Sequence, residues 1–264
     1  MGNLVLYESI DGVGTVTMNR PEQLNTMTEA FLEDLLTAMG WAAEDDDARV
    51  VVLRGAGRAF CAGGDLREGA GAGVGDEGSV AEAATHIRRL MGSAELLHTM
   101  AKPTVAAIRG ACAGAGLSLA CAADLRFASD TAVFKSAFID VGLSGDFGGT
   151  WSLSRVIGPA RARAAYLLSN RFDAAEALRI GLVSAVVADS DFDDHVAAVV
   201  RRFADGPGIA LRLLKENLND ALKMGLGELL DLEAERFVVT ARTEDAKEAT
   251  AAFLEKRTPT FSGS

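Results

Sequence analysis

The chain opens with two runs of alternating and β-branched residues that predict a hairpin. These runs cover residues 4–10 and 13–18. Between them stands Asp11-Gly12, a dipeptide that favours the tight turns of two-residue hairpin loops. We therefore expect the first two strands to pair antiparallel.

A helix and a third strand are predicted next. Thr26 and Glu29 have the spacing of a capping box, which indicates a helix start. Apolar residues recur at helical spacing over residues 31–39, and a short apolar run at 49–53 predicts a strand. Strand, helix and strand, with both strands apolar, indicate a parallel sheet covered by helices. The predicted fold class is α/β.

The middle of the chain repeats this alternation. Residues 68–79 are rich in Gly and acidic residues and have no apolar period, which predicts a loop. A helix is expected over residues 81–100, followed by strands at 103–108 and 125–128. Asp173 and Glu176 then mark the start of another capped helix.

The last part of the chain reads differently. From about residue 191 to residue 256 the apolar residues show only helical spacing, with Glu, Lys and Arg between them. We expect two parts: a core with the functional site over residues 1–200, and an appended helical segment over residues 201–264.

Composition and charge exclude several classes of protein. Apolar residues make up 49% of the 264 residues and charged residues 24%, as in a chain that buries a full core. The net charge of −11 repels phosphate backbones and anionic lipid, so nucleic acid and membrane surfaces are poor partners. No apolar run approaches the length of a membrane span, and the N-terminus lacks a basic secretory start. We expect a soluble, cytoplasmic protein.

Metal and disulfide chemistry are not expected. The three cysteines, Cys61, Cys112 and Cys121, form no framework and no C-x-x-C pair. The three histidines lie far apart in the sequence, and no pair has the spacing of metal ligands.

Two segments of small residues are the candidates for chemistry. They are residues 58–66, with the sequence RAFCAGGDL, and residues 111–116, with the sequence ACAGAG. Small residues let backbone N–H groups approach a ligand, and a helix start leaves such groups unpaired. Two converging N–H groups form an oxyanion hole. Tight turns and close helix–sheet packing would explain the same residues.

The chain resembles the crotonase (enoyl-CoA hydratase/isomerase) superfamily over nearly its whole length. The resemblance rests on many landmarks in one order, which are Met18-Asn19-Arg20-Pro21, Leu24-Asn25, residues 59–66, Lys102-Pro103, residues 106–108, Gly114 to Gly116, Asp124, Gly148-Gly149-Thr150, Ala177, Gly181-Leu182-Val183 and residues 253–257. It implies a crotonase (ClpP-like) spiral of ββα turns, followed by a helical trimerisation segment at residues 201–264. It also implies a homotrimer or a dimer of trimers.

The resemblance further implies acyl-CoA chemistry with no separate cofactor. The thioester enolate would be held by the backbone N–H groups of Gly64 and Ala115. Coenzyme A, as part of the substrate, would contact several residues, some of them reaching a neighbouring subunit: Arg20, Ala62, Asp65, Leu66, Arg67, Phe253 and Lys256, with Arg257 as an alternative to Lys256. Solvated surface charge would explain the basic residues equally. Asp65 and Asp124 are interpreted as backbone caps.

The chain departs from the hydratase pattern at both catalytic glutamates. The matching positions hold Ser118 and Phe138. Water addition needs one group to deprotonate the water and a proton for the α carbon, and neither side chain supplies these at neutral pH. We therefore predict weak or absent hydratase activity.

One acid remains in a suitable place. Residues 137–151 and 256–263 resemble the ring-1,2-epoxyphenylacetyl-CoA isomerase-like and enoyl-CoA isomerase members, in which the residue matching Asp146 is the acid and base. Phe138, Phe147 and Trp151 would line an apolar acyl pocket and raise the pKa of Asp146 by desolvation. A role for Asp146 as the N-cap of the following helix is the alternative.

The leading hypothesis is an isomerase of an unsaturated or ring acyl-CoA, with Asp146 as proton shuttle, in fatty acid metabolism or phenylacetate degradation. Three alternatives stay open. The chain could be an enoyl-CoA hydratase, a lyase that uses Asp146 with Asp140. It could use Asp146 as a nucleophile, as a related dehalogenase uses the equivalent aspartate. His86 would then take the part of the histidine that assists in that enzyme. It could also be a non-catalytic acyl-CoA binder.

Overall fold

The computed structural model describes residues 4–68 and 78–264. Most of the loop predicted at 68–79 lies outside the described residues. The strands are β1 (Val5–Ile10), β2 (Val13–Met18), β3 (Val50–Gly55), β4 (Thr104–Ile108), β5 (Ala111–Ala113), β6 (Leu125–Ser129), β7 (Val133–Lys135), β8 (Phe172–Asp173) and β9 (Ala185–Val187). The helices are α1 (Glu29–Glu44), α2 (Val80–Leu90), α3 (Gly92–Thr99), α4 (Ala115–Ala122), α5 (Gly149–Ile157), α6 (Pro159–Leu168), α7 (Ala174–Arg179), α8 (Phe192–Ala204), α9 (Gly208–Asp220), α10 (Leu226–Ala241) and α11 (Glu244–Glu255).

Two sheets organise the core. The larger sheet has the order β1-β2-β3-β4-β6-β9, and the smaller one has the order β5-β7-β8. β1 and β2 form the predicted antiparallel hairpin, with Ile10 opposite Val13. The following pairs of the larger sheet are parallel, which confirms the sequence prediction.

Both faces of the larger sheet are buried, because alternate residues of each central strand point to opposite sides. Val51 and Leu53 of β3 face the cluster formed with α1, α3 and α4. Val50 and Val52 face a second cluster, to which α8 contributes Phe192, Val200 and Ala204. This two-sided burial is why the strands read as continuous apolar runs.

The first helix begins later than the capping-box spacing predicts. Thr28 is the N-cap, and its side chain accepts a hydrogen bond from the N–H of Phe31. Met27 pairs as an isolated bridge with Gly64. The backbone at Met27, just before α1, is therefore extended and cannot be helical. Thr26 instead donates its hydroxyl to Asp65, at 3.2 Å.

The long helix predicted over residues 81–100 is divided into α2 and α3 at Met91-Gly92. The bend lets Leu90 and Leu97 both reach the core, where each is fully buried. The capped helix predicted at Asp173 is confirmed, since its side chain accepts from the N–H of Glu176.

The last helices follow the prediction of an all-helical region. α8 runs across the 200/201 boundary proposed from the sequence and packs on the sheet, and the division into two parts stays a prediction. α9 is attached to the core by Lys215, whose ammonium lies 2.8 Å from Asp124 Oδ2 and donates to the Lys102 carbonyl oxygen. Among the helices described, none is long and apolar enough to cross a membrane.

Candidate active site

The two segments of small residues lie side by side. Cys61 and Cys112 form a parallel bridge, in which the N–H of Cys61 donates to Ala111 and the N–H of Ala113 donates to Cys61. In this register Gly64 and Ala115 come three residues after the bridge on their respective segments. In a parallel pair, residues at equal distances from a bridge lie side by side. The N–H groups of Gly64 and Ala115 therefore lie at the same end of the two segments.

Glycine allows the close approach. Gly63 has φ of +96° and Gly114 has φ of +52°, a region that L side chains rarely adopt. A Cβ atom on Gly63 would lie 3.1 Å from the carbonyl oxygen of Ala113. A larger residue at Gly63 would therefore separate the two segments.

The N–H groups of Gly64 and Ala115 are unpaired within the described chain. The N–H of Met27 donates to the carbonyl oxygen of Gly63, and its carbonyl oxygen accepts from the N–H of Asp65. Neither of these two backbone hydrogen bonds uses the N–H of Gly64. Ala115 is the first residue of α4, where a helix leaves its N–H without an intrahelical acceptor. Both residues line the same cavity, as the two donors of the predicted oxyanion hole would.

This cavity has a volume of about 280 Å³ and is mostly apolar. Ser144 and Asp146 are the polar side chains among the described residues that line it. The other large lining side chains are Met27, Leu32, Leu66, Ile87, Met91, Phe138, Val141 and Leu143. An acyl chain fits such a surface, since its burial needs no polar partner.

Asp146 brings one carboxyl group into this apolar cavity. Its Oδ1 atom is buried and has no hydrogen-bond partner within the described chain. Burial raises the pKa of Asp146 from an ordinary 3.8 to about 7. A carboxyl with a pKa near neutral can both take and return a proton at physiological pH.

The side chain of Asp146 does not cap the helix that follows. The N-cap of α5 is Gly148, with φ of +68°, and no side chain bonds to the helix start. The backbone oxygen of Asp146 accepts from the N–H of Gly149, at 3.0 Å. The carboxyl is therefore left for the cavity.

Among the described residues, the Cys61 thiol and the Tyr166 hydroxyl lie close enough to sense the charge of Asp146, and both are neutral at pH 7. Burial raises the pKa of the Cys61 thiol to about 12, and the negative charge of Asp146 adds to this effect. Burial likewise raises the pKa of the Tyr166 hydroxyl to about 12. All three cysteines are unpaired and buried.

The two positions assigned to hydratase glutamates differ in surroundings. Ser118 is 1% exposed and lies behind the start of α5. A Cβ atom built on Gly149 would lie 2.2 Å from its hydroxyl oxygen. Phe138 lines the cavity and is stacked on Tyr166. Neither position presents a carboxylate.

The structure does not bring all three predicted acyl-pocket aromatics to the cavity. Phe138 is a lining residue, whereas Phe147 is buried in the main core cluster. Trp151 is 38% exposed, lies edge-on to His98 and carries the guanidinium of Arg155 over its ring. The cavity wall comes instead from Ile87 of α2, from Met91 just after that helix, and from the segment before Asp146. Sequence reasoning did not find these residues. The helical spacing of Ile87 and Met91 was the available signal.

The residues predicted to contact coenzyme A fall into two groups. Ala62 and Leu66 line the cavity, and Leu66 is 60% exposed at its mouth. Next to it, Arg20 and Arg67 converge on Asp65, at 3.1 and 2.7 Å. Hydrogen bonds from Arg67 hold the pKa of Asp65 well below its usual range. Asp65 thus binds two guanidinium groups as well as the backbone N–H of Arg67.

The second group lies on α11. Phe253 is 83% exposed, and Lys256 ends the helix with φ of +57°. Neither is among the described residues that line the cavity. Arg257 binds Glu248 and Glu255, which leaves Lys256 as the basic candidate at this end.

Asp140 and His86, the second groups of the hydratase and nucleophilic alternatives, are bound to other side chains. Asp140 accepts from Ser169 and lies 2.8 Å from the ammonium of Lys135, whose hydrogen bond lowers the pKa of Asp140. His86 lies 3.0 Å from the carboxylate of Glu29 on α1. Asp124 accepts from the N–H and hydroxyl of Thr104, as a backbone cap does.

Comparison with known proteins agrees with this geometry. The sequence profile of the family described as "Enoyl-CoA hydratase/isomerase" matches residues 8–264. The chain is 38% identical over 259 residues to "Probable enoyl-CoA hydratase" of Rhodobacter capsulatus, covering 98% of each chain. It is 36% identical over 264 residues to "1,2-epoxyphenylacetyl-CoA isomerase" of Escherichia coli, covering 100% of each.

The fold agrees as well. An enoyl-CoA hydratase from Bacillus anthracis superimposes with a TM-score of 0.89 at 30% identity, covering 99% of this chain and 100% of that one. The family profile and the full-length relatives point the same way. The chain belongs to the enoyl-CoA hydratase/isomerase family, the crotonase superfamily of acyl-CoA enzymes, as the resemblance implied.

Proposed function

We propose that this enzyme is an isomerase of unsaturated or ring acyl-CoA thioesters, with Asp146 as its proton shuttle. The observation that carries the proposal is the carboxyl group of Asp146, the one acidic side chain among the described residues that line the apolar cavity. Asp146 lines it, while the two positions assigned to hydratase glutamates hold Ser118 and Phe138.

The reaction needs one base and one oxyanion site. With a 3-enoyl-CoA, the Asp146 carboxylate removes a proton from the α carbon. The electron pair moves onto the thioester oxygen, which accepts hydrogen bonds from the N–H groups of Gly64 and Ala115. The proton then returns from Asp146 to the γ carbon, the double bond moves to the 2,3 position, and the carboxylate is regenerated.

The energetics favour these two devices. Each oxyanion donor is typically worth about 3 kcal/mol of transition-state stabilisation. Loss of hydration raises the pKa of Asp146 to about 7, which makes it a stronger base than an ordinary aspartate. The apolar wall around it keeps water from competing for the proton.

Coenzyme A is expected to bind as part of the substrate, with no further cofactor. Arg20 and Arg67 at the mouth of the cavity supply positive charge for its phosphates. Lys256 and Phe253 are proposed to contact the coenzyme bound to a neighbouring subunit. A cytoplasmic location remains a prediction of the sequence.

A homotrimer, alone or paired with a second trimer, is the proposed assembly. Large apolar side chains on α9 to α11 support it because they are unpaired within the chain described: Leu218, Leu226, Leu230, Phe237 and Phe253 are each more than half exposed. Light scattering of the purified protein tests this proposal, and Phe237→Lys should shift the mass toward the monomer.

The test of function offers the purified protein 3-hexenoyl-CoA and crotonyl-CoA in parallel. Isomerisation should be rapid and water addition slow. Asp146→Asn should lower kcat by roughly a thousandfold, because Asn cannot accept the proton. Asp140→Asn is the matched control and should isomerise like the parent.

Each remaining outcome decides against the proposal in a different way. Fast hydration abolished by changing Asp146 or Asp140 would show a hydratase. A covalent aryl adduct on Asp146 would show the nucleophilic reaction. Tight binding of acyl-CoA without turnover of any unsaturated substrate would show a non-catalytic binder.

A further inference from the structure

The segment that carries Asp146, residues 145–149, has an irregular backbone. Gly145, Phe147 and Gly148 have φ of +109°, +45° and +68°. Residues 145–148 are thus neither helix nor strand, and Gly149 begins α5. Since Oδ1 of Asp146 has no hydrogen-bond partner in the described chain, packing must decide where the carboxyl lies.

Tyr166 of α6 packs against both ends of this segment. A Cβ atom built on Gly145 would lie 3.6 Å from Cε1 of the tyrosine ring. A Cβ atom built on Gly149 would lie only 2.3 Å from the tyrosine hydroxyl oxygen. The ring and its hydroxyl therefore span the segment from one end to the other, in contact too close for any side chain at Gly149.

The same ring supports the wall of the cavity. Tyr166 and Phe138 stack with ring centroids 6.0 Å apart and planes 8° from parallel. Phe138 lines the cavity that Asp146 faces. One side chain thus contacts both the aromatic wall and the segment that carries the acid.

Ser118 completes this contact. Its hydroxyl lies beside that of Tyr166 and donates to the carbonyl oxygen of Gly114, at 3.4 Å. A Cβ atom on Gly149 would lie 2.2 Å from the serine hydroxyl oxygen. Ser118 stands at one position assigned to a hydratase glutamate. A longer side chain there would take the space that the Tyr166 hydroxyl and Gly149 now fill, so the serine and the tyrosine form one packed unit.

We propose that Tyr166 is a positioning residue, which acts through Phe138 and residues 145–149 to hold the Asp146 carboxyl inside the apolar cavity. The inference rests on the proposed function, in which that carboxyl moves the proton. Without the ring, the segment can relax and water reaches the carboxyl.

The test compares two readouts in parent and variants. One is the ionisation of Asp146, followed by NMR of carboxyl-¹³C aspartate and identified by the resonance missing in Asp146→Asn. The other is kcat and KM for 3-hexenoyl-CoA. The variants are Tyr166→Leu and Tyr166→Phe. Tyr7→Leu is the control, because Tyr7 is the chain's other tyrosine and its hydroxyl binds Asp45 away from the cavity.

Tyr166→Leu should lower the pKa of Asp146 by about one unit, since hydration favours the charged form. It should lower kcat by roughly tenfold with a smaller change in KM, because the carboxyl is misplaced. Tyr166→Phe should keep both values close to the parent, and Tyr7→Leu should move neither. An unchanged pKa and kcat in Tyr166→Leu, or changes no larger than in Tyr7→Leu, would overturn the proposal.

A second variant covers the case in which Tyr166→Leu does not fold. Gly149→Ala disturbs the same contact, because its methyl group would clash with the Tyr166 hydroxyl. It should change the pKa of Asp146 and kcat. Ser118→Gly and Tyr166→Phe together remove both hydroxyl oxygens and the Ser118 Cβ atom, which would lie 2.9 Å from a Cβ atom on Gly149. Gly149→Ala should therefore lower kcat much less in that background. Equal effects in both backgrounds would contradict transmission through this contact.

The two readouts separate this inference from the proposed function. If the parent turns over neither unsaturated nor ring acyl-CoA thioesters, the isomerase proposal fails, while the NMR titration still decides whether Tyr166 holds the carboxyl in place.

Discussion

Two aspartates of this chain show how the surroundings set the chemistry of one residue type. Asp65 is buried against two guanidinium groups, and the hydrogen bonds from Arg67 keep its pKa well below the usual range. Asp146 is buried against apolar side chains, and desolvation raises its pKa to about 7. The first is a permanent anion, and the second can exchange a proton near neutral pH.

The pH dependence of isomerisation follows from the raised pKa. The base must be the carboxylate, so kcat/KM should rise with pH and level off above the pKa of about 7. A pH profile of kcat/KM for 3-hexenoyl-CoA measures this. A profile that is flat between about pH 5 and 8 would contradict the role of Asp146.

The stability of the fold should depend on the same carboxyl. Between its ordinary pKa of 3.8 and about 7, the folded chain holds the proton more tightly than the unfolded chain does. The free energy of unfolding therefore falls as pH rises through that window. Asp146→Asn should raise the free energy of unfolding by about 1–3 kcal/mol at about pH 8 and by almost nothing near pH 4, as measured by urea unfolding.

Asp140 provides a control of opposite sign. The hydrogen bond from Lys135 lowers the pKa of Asp140, so its contribution is present above the pKa of the unfolded chain and is lost as pH falls. Asp140→Asn should give no gain at about pH 8. A gain in Asp146→Asn that is the same at every pH would show that packing, not ionisation, causes it.

At the scale of elements, the start of α4 holds the backbone N–H group that we propose as one donor of the oxyanion hole. Gly114 takes a positive φ, and Ala115 then begins the helix with its N–H unpaired. The first position of a helix tolerates proline, which removes the N–H without disturbing helical bonds. This allows the donor to be deleted from a folded protein.

Ala115→Pro should lower kcat by about a hundredfold or more, while the far-ultraviolet circular dichroism stays unchanged. Ala115→Gly, which keeps the N–H, should remain close to the parent. Glu244→Pro makes the same change at the first residue of α11 and should leave kcat unchanged. Full activity in Ala115→Pro would exclude this N–H from the oxyanion hole.

The attachment of α9 to the core depends on an ion pair between a buried lysine and a partly buried aspartate. Lys215 lies 2.8 Å from Asp124 and also donates to the carbonyl oxygen of Lys102. Lys215→Met should lower the free energy of unfolding by about 3–5 kcal/mol, since it leaves Asp124 without its cation. Adding Asp124→Asn should recover part of the loss. The exposed Lys223→Met is the control, and a loss there of similar size would refute the argument.

At the scale of the whole molecule, charge and cavity select the substrate together. The chain carries a net charge of −11, yet two arginines meet on Asp65, the residue before Leu66 of the cavity lining. Within the cavity, the lining that the structure describes has no Lys, Arg or His, and residues 69–77 contain none either. A second carboxylate at the end of an acyl chain would be buried without a counter-charge.

The enzyme should therefore discriminate against dicarboxylic acyl groups. We expect kcat/KM for 3-hexenedioyl-CoA to be at least roughly a hundredfold lower than for 3-hexenoyl-CoA. Leu143→Arg places a cation in the cavity lining. It should bring kcat/KM for 3-hexenedioyl-CoA closer to that for 3-hexenoyl-CoA. Equal kcat/KM values for the two thioesters in the parent would show that charge in the cavity is compensated from elsewhere.

Much of the fold was accessible from local patterns. The β1–β2 hairpin, the parallel sheet and the helical last quarter follow from the dipeptide Asp11-Gly12, from β-rich apolar runs and from helical spacing. The start of α1 was misplaced because the bridge between Met27 and Gly64 joins residues far apart in the sequence. No local pattern contains such a contact.

The sequence by itself determined the α/β class, the two glycine segments, the absence of both hydratase glutamates and the candidate Asp146. These depend on residue identity and spacing, which local chemistry constrains. Only the tertiary structure decided that Trp151 lies at the surface, that α2 forms a cavity wall and that Tyr166 supports residues 145–149. Burial, and with it the pKa of Asp146, depends on which distant residues pack around a group, and that is a property of the folded chain.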